Sequence, residues 1–335
     1  MKKIYIPLLN KIPLHLQFQN CKTIIGDYQF ILGGECKEAD YVVILENILK
    51  PLQIRCNPGN VLLFTGEPPS VKSYPHDFLS QFAHIYTCQQ NLSSMSNTTI
   101  TYPALPWMLS CNFYDDSNTS HNRFNYFDPI SHENRLNKIC LFTSNKKFCK
   151  GHCDRIHFAL ELKKRLPDVV DIFGSGFEQV NNKVDELARY KYSIVIENSS
   201  YPYYWSEKLA DTLLAETVPL YFGDPLIHQL FSADEVLDID IFNIDEAVEK
   251  VNQLLNSNYY DEHEDFIVSA KEKVLYEYNM FPRIVKFVEL IKSNVEPTQD
   301  ITIYPQKAGL FVGYRTALRK KMCQKLPYYI IKHIL

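Results

Sequence analysis

The sequence predicts a parallel α/β protein built in two halves with a cleft between them. Apolar runs of strand length alternate with helix-patterned segments, the pattern of parallel sheets flanked by helices. Several runs are apolar on both faces, as strands buried from both sides must be. At 335 residues the chain exceeds what one hydrophobic core usually organises, so two domains are expected.

In the first half, strands are expected at "KKIYIP" (2–7), "YVVILEN" (41–47), "NVLLFTGE" (60–67) and "HIYTCQ" (84–89). Residues 90–135 are polar and turn-rich and read as an irregular interdomain linker. A second alternation follows: "KICLFTS" (138–144), a helix over 153–166, "VVDIFG" (169–174) and "YSIVIEN" (192–198). A helix from Ser206, "VPLYFG" (218–223), "EVLDIDIF" (235–242) and the helix "IDEAVEKVNQLLN" (244–256) complete it. The expected domains are 1–135, 136–295 and a basic tail over 296–335. In open α/β sheets ligands collect at the carboxyl ends of strands, which here face the cleft.

Composition excludes several classes. With 46% hydrophobic and 22% charged residues, the chain can bury a core and is not globally disordered. A net charge of −4 gives no electrostatic reason to expect nucleic acid. The nine cysteines are odd in number and scattered, which suits reduced thiols in a cytoplasmic protein better than a disulfide framework. Asn10, Lys11, Pro7 and Pro13 interrupt any signal-peptide core, and no window approaches the roughly 20 apolar residues of a membrane span.

The most informative stretch is "YKYSIVIENSSYPYYWSEKLADTLLAETVPLYFG" (190–223). Glu197 and Asn198 end a buried strand, and Ser206 can cap the next helix, leaving Glu207 and Lys208 in its first turn. A helix N-terminus presents unpaired N–H groups and partial positive charge, and Lys208 adds a full charge, a combination that suits a pyrophosphate. Glu207 is equally a favourable first-turn acid. Tyr201, Tyr203, Tyr204 and Trp205 could stack on a base or sugar, or could anchor the loop on the core.

Taken whole, this unit resembles the sugar-nucleotide signature of family-ten glycosyltransferases, the α-1,3/4-fucosyltransferases. Ser206 stands where the family usually has Thr, and Glu216 where a small residue is common. "LLFTGEPPS" (62–70) is similar to the family's strand-end motif, and "KGHCDRIHFALELKKRL" (150–166) to its arginine-bearing helix. The likeness is strong over 137–260, weaker over 60–90 and poor in 1–40. It implies a GT-B fold and transfer of L-fucose from GDP-β-L-fucose, with inversion, to a hydroxyl of an N-acetylglucosamine-type acceptor. By the same resemblance Glu67 is the catalytic base, Arg155 and Lys208 hold the diphosphate, and Asn198, Tyr204 and Glu207 surround the nucleotide sugar. Glu197 either joins that site or ties down neighbouring backbone N–H groups. On position alone Glu67 is also an ordinary turn acid before Pro68 and Pro69. Two alternatives stand beside this reading: the same fold with another donor sugar, and a catalytically silent sugar-nucleotide-binding scaffold.

Other motifs are weaker. Cys149, His152, Cys153 and His157 lack a second ligand pair at zinc-finger spacing. "FGSG" (173–176) lacks the third glycine of a dinucleotide loop and reads as a turn, and "DID" (238–240) follows strand alternation. Catalysis without a required metal or other cofactor is therefore expected. After Asp300 the chain has no acid, while Lys307, Arg315, Arg319, Lys320, Lys321, Lys325 and Lys332 accumulate among apolar residues. Such a tail can lie on an anionic membrane surface or pack on the first domain, with Pro327 breaking any long helix. The surface reading, supported by similar tails in bacterial members of the family, implies a cytoplasmic protein on the inner face of the membrane. Its acceptor would then be a lipid-linked glycan such as lipopolysaccharide O-antigen.

Overall fold

A computed structural model describes residues 1–8, 14–19, 22–104, 132–147, 150–181, 183–291 and 298–306. The first half contributes β1 (Lys2–Ile6), β2 (Ile24–Ile25), β3 (Tyr28–Leu32), β4 (Tyr41–Leu45), β5 (Leu52–Cys56), β6 (Val61–Phe64), β7 (His84–Thr87) and β8 (Thr98–Ile100). All but β5 form one sheet in the order β2–β3–β1–β4–β6–β7–β8, parallel except where β2 turns back along β3. Val42, Val43, Ile44, Leu62 and Leu63 are fully buried at its centre, as both-faced apolar strands require. Each such side chain contributes about 1.5–3 kcal/mol of burial.

The second half is wholly parallel: β9 (Leu136–Phe142), β10 (Val170–Phe173), β11 (Tyr190–Ile196), β12 (Val218–Phe222) and β13 (Leu237–Asp238), ordered β10–β9–β11–β12–β13. The first half's short helix is α1 (His76–Leu79); the second half supplies α2 (Lys150–Arg165), α3 (Lys183–Ala188), α4 (Glu207–Leu214), α5 (Ile244–Leu255), α6 (Tyr259–Glu262) and α7 (Glu264–Lys273). One face packs Val184, Leu187, Leu209 and Leu213 of α3 and α4 with Ala270 of α7. The other packs Phe158 and Leu162 of α2 with Val251 and Leu254 of α5. Two Rossmann-like sheets across a cleft are the GT-B arrangement.

Three expectations change here. "EVLDIDIF" yields only the two-residue β13, because Asp240 turns the chain by accepting the Phe242 N–H. Within the expected linker, β8 completes the first sheet; 105–131 lies outside the described residues.

The third change is the boundary at 295. After a π turn at Val274–Tyr278, α8 (Met280–Leu290) crosses back and lays Met280, Phe281, Ile284, Phe287 and Val288 on the first sheet. Next, β14 (Gln299–Ile303) pairs antiparallel with β5, so the segment assigned to the start of the tail is a strand of the first half. A helical apolar stripe shows that a face must be covered but not which sheet receives it. Arg283 fastens the crossing, donating from Nη2 to the Tyr102 carbonyl at 2.9 Å and to Thr101 Oγ1 at 3.2 Å. The basic tail from Lys307 onward lies outside the described residues.

Candidate active site

On the second-half wall, β11 delivers Glu197 and Asn198, and α4 starts at Glu207 behind its Ser206 cap. The fully buried Glu197 carboxylate organises this turn. Its Oε1 accepts the Ser206 N–H at 2.8 Å, and the Ser206 hydroxyl lies 2.7 Å from Oε2, which also accepts from Lys208 Nζ at 3.2 Å. Lys208 further donates to Ser206 Oγ at 2.8 Å. Burial opposes the Lys208 charge, but Glu197 and Glu207 outweigh it and hold the ammonium above its ordinary range, with Arg155 working against them. Burial likewise opposes the Glu207 charge, yet Lys208 and Lys183 pull that carboxyl below its usual range.

Helix α2 brings a second cation to the same place. The buried Arg155 donates from Nη1 to Asn198 Oδ1 at 2.9 Å. The approach of helix to strand end is so close that a Cβ on Gly151 would stand 1.9 Å from the Asn198 carbonyl oxygen, which explains the glycine. Half-buried His152 is pushed down to about 4 by burial, Arg155, Lys208 and Lys146, against a hydrogen bond with Asn198. Burial is the largest cause of that depression, and the three cations add to it. Beside it opens a cavity of about 250 Å³ lined by Ser70, Lys150, Gly151, Asn198, Ser199 and Phe242.

On the first-half wall, β6 is followed by Thr65, Gly66 and Glu67. Buried Gln89 clamps the following loop, donating to the Glu67 carbonyl at 2.8 Å and the Lys72 carbonyl at 2.9 Å. The Glu67 carboxylate itself accepts no hydrogen bond among the described residues. Burial, then the Glu46 charge, push its carboxyl above the usual carboxylate range; Lys208 and Lys72 oppose them and Glu207 adds to them. Glu67 therefore shares the field of Lys208 and Glu207 across the cleft. The walls touch where the Ser70 and Ser199 hydroxyls lie 3.1 Å apart and Gln90 N–H donates to the Tyr201 hydroxyl at 3.1 Å.

Glu67, Arg155, Asn198, Glu207 and Lys208 are thus brought to one cleft. Tyr204 lies buried between them, its phenol raised by burial and by Glu197, Glu67 and Glu207. Trp205 and Tyr203 do not form a stacking platform. Trp205 is 4% exposed and packs against Phe231 and Tyr278, and Tyr203 meets Tyr102 edge-on while its N–H donates to Asp224. Core anchoring accounts for both. Glu46, Lys72 and Tyr74 are not singled out in the sequence, and His152 is weighed there only as a zinc ligand. Glu46 follows an apolar strand as Glu197 does, and that shared strand-end position was the available signal.

The remaining motifs resolve structurally. Gly174 and Gly176 take left-handed conformations in a turn pressed on Thr143. Asp238 meets His228 at 3.0 Å. Among the described residues no three His, Cys, Asp or Glu side chains converge as a metal-ligand set, and Cys149 lies outside them. Glu216, at φ 54° where the family favours a small residue, is buried against Lys271 at 2.6 Å and His132, an ion pair that holds the strained residue in place.

Residues 132–294 match the family model described as glycosyltransferase family 10 (fucosyltransferase), C-terminal. An α-(1,3)-fucosyltransferase of Helicobacter pylori is 28% identical over 120 residues, 34% of this chain and 25% of that protein. Fucosyltransferase B of Drosophila melanogaster, an α-(1,3) enzyme by name, is 29% identical over 35% of this chain and 32% of its own length. A putative fucosyltransferase-like protein of Arabidopsis thaliana is 33% identical over 40% of this chain and 26% of its own length. The chain thus spans a quarter to a third of the curated relatives it matches. A crystal structure of an α1,3-fucosyltransferase with GDP-fucose superposes with a TM-score of 0.48 at 18% identity, covering 90% of this chain and 93% of that one.

Proposed function

Through residues 132–294 the chain belongs to glycosyltransferase family 10, and from that premise we propose that it is an inverting α-1,3 (or α-1,4) fucosyltransferase. In this reading it moves L-fucose from GDP-β-L-fucose to a hydroxyl of an N-acetylglucosamine-type acceptor in a surface glycan. The observation that carries it is the opposition across one cleft of a proton-hungry carboxylate, Glu67, and an anchored cation pair, Arg155 and Lys208. Glu67 takes the acceptor hydroxyl proton as that oxygen attacks the anomeric carbon from the face away from GDP. The bond to the β-phosphate oxygen breaks, and the electron pair leaves on the phosphate, where Lys208 and Arg155 neutralise it. Asn198 orients Arg155, while Tyr204 and Glu207 border the nucleotide sugar.

Two fixed cations can do the charge work of a divalent ion. The first experiment is therefore GDP release from GDP-fucose with N-acetyllactosamine in EDTA. Turnover at the rate seen with added Mg²⁺ or Mn²⁺ is expected. Saturable GDP-fucose binding without turnover points to a different acceptor, and absence of binding overturns the fucosyl assignment in favour of another sugar nucleotide.

The basic segment from Lys307 onward supports a peripheral seat on an anionic membrane, with a lipid-linked acceptor such as lipopolysaccharide O-antigen. No helix among the described residues is long and apolar enough to cross a membrane. The chain is expected to float with vesicles containing phosphatidylglycerol and to lose that binding when cut after Gln306. Retention by the shortened chain removes the membrane role from the tail.

A further inference from the structure

Glu46 directly follows β4, the strand that flanks β6 in the sheet, and stands beside the turn that carries Glu67. It is one of few non-glycine residues in the left-handed region, at φ 66°. That conformation turns its side chain onto the neighbouring loop. Its Oε1 accepts the Gly66 N–H, the residue before Glu67. Its Oε2 accepts from Lys72 Nζ and from the Tyr74 hydroxyl, each at 2.6 Å, and Lys72 lies 4.7 Å from the centre of the Tyr74 ring. The carboxylate therefore grips the Glu67 loop at both ends, and Gln89 holds the same loop by the carbonyls of Glu67 and Lys72. With its oxygens engaged by the loop, Glu46 is built as a support and not as a ligand for substrate.

Its charge has a second consequence. The groups facing Glu67 are Glu46 and Lys72 from its own half and Lys208 and Glu207 from α4. Tyr74, Cys88 and Tyr204 lie within its electrostatic reach. Lys208 and Glu207 are committed to the donor side, which leaves the Glu46–Lys72 pair as the adjustable part of the field.

We propose that Glu46 is the positioning residue of the candidate base, fixing the 66–74 loop and supplying, against Lys72, the negative field under which Glu67 accepts its proton. The proposal rests on Glu67 being the base. A carboxylate near a like charge is a stronger base, and a stronger base draws the acceptor proton better. The arrangement thus links a strained strand end, a clamped loop and proton transfer.

The test is the pH dependence of kcat/KM for GDP-fucose and N-acetyllactosamine in the full chain, for the parent, Glu46→Gln, Lys72→Met and Glu67→Gln. Removing the Glu46 charge lets Glu67 ionise more readily. The acid limb should move to lower pH by roughly half a unit to one unit, and the plateau should fall several-fold. Lys72→Met removes the opposing cation and should move the limb to higher pH. A fall in plateau with both limbs unmoved reduces Glu46 to a structural loop anchor and overturns the proposal. Should Glu46→Gln fail to fold, the Lys72→Met limb decides alone: a rise supports the proposal and an unmoved limb sinks it. Parent-like activity in Glu67→Gln would instead overturn the base assignment itself, whatever the limbs do.

Discussion

Glu67→Gln is expected to lower kcat/KM by about 10²–10⁴-fold, the usual contribution of a positioned general base, while GDP-fucose affinity stays near the parent value. Gln preserves the volume and the Gln89 clamp, which holds the Glu67 backbone and not its side chain. Donor contacts on the opposite wall are untouched. Stability supplies an independent readout. Burial and Glu46 raise the folded-state pKa of Glu67, so below the unfolded-state value the group is protonated in both states and neutral in its effect. As pH rises through the window up to the raised value, the folded state must give up a proton it holds more tightly, and stability falls. At neutral pH the ionised group therefore opposes folding, and Glu67→Gln should raise Tm slightly while removing activity. An ordinary turn acid would show the reverse, unchanged activity and an unchanged or lower Tm. In the parent, activity should fall as pH drops through a limb above the usual carboxylate range.

The parts of this site legible in the sequence are those fixed by local chemistry. The apolar "YSIVI", the Ser206 cap and the first-turn Glu207 and Lys208 follow from strand and helix-start rules, and the structure places them within a residue or two of expectation. The N–H clamp, one of two roles open to Glu197, is the one its hydrogen bonds fill. What the sequence hid was pairing between distant segments. Glu46 and Glu67 follow strands that β5 separates in the sequence, and only the β4–β6 register makes them neighbours. His152 reads as part of a weak zinc cluster until the Gly151 contact with Asn198 sets it beside Arg155 and Lys208. The crossing of α8 and the β14–β5 ribbon were hidden for the same reason: a stripe or an alternation names a buried face but not its partner. The aromatic loop misled because its rings suit a sugar and a core equally, and Trp205 and Tyr203 are committed to the core.

The second large effect is expected at Glu197, through stability instead of proton transfer. Its carboxylate is fully buried, and three donors converge on it: the Ser206 N–H, the Ser206 hydroxyl and Lys208 Nζ. Glu197→Gln keeps the shape but removes the charge that balances Lys208 in a turn already crowded by Arg155. Removing one partner of a buried ion pair typically costs 3–5 kcal/mol, and the partial exposure of Lys208 places this case toward the lower end, about 3 kcal/mol. For a chain of this size that corresponds to a Tm lower by roughly 4 °C. Because the pair is shielded from solvent, the loss should persist at high salt, unlike that of a surface bridge. GDP should recover part of it, since the diphosphate offers Lys208 a replacement anion and binding stabilises the folded state by mass action. The measurement is a thermal melt of parent and variant with and without GDP, in low and high salt. A weaker donor KM at unchanged Tm would place Glu197 on the donor itself and overturn its role as the clamp that aims Lys208.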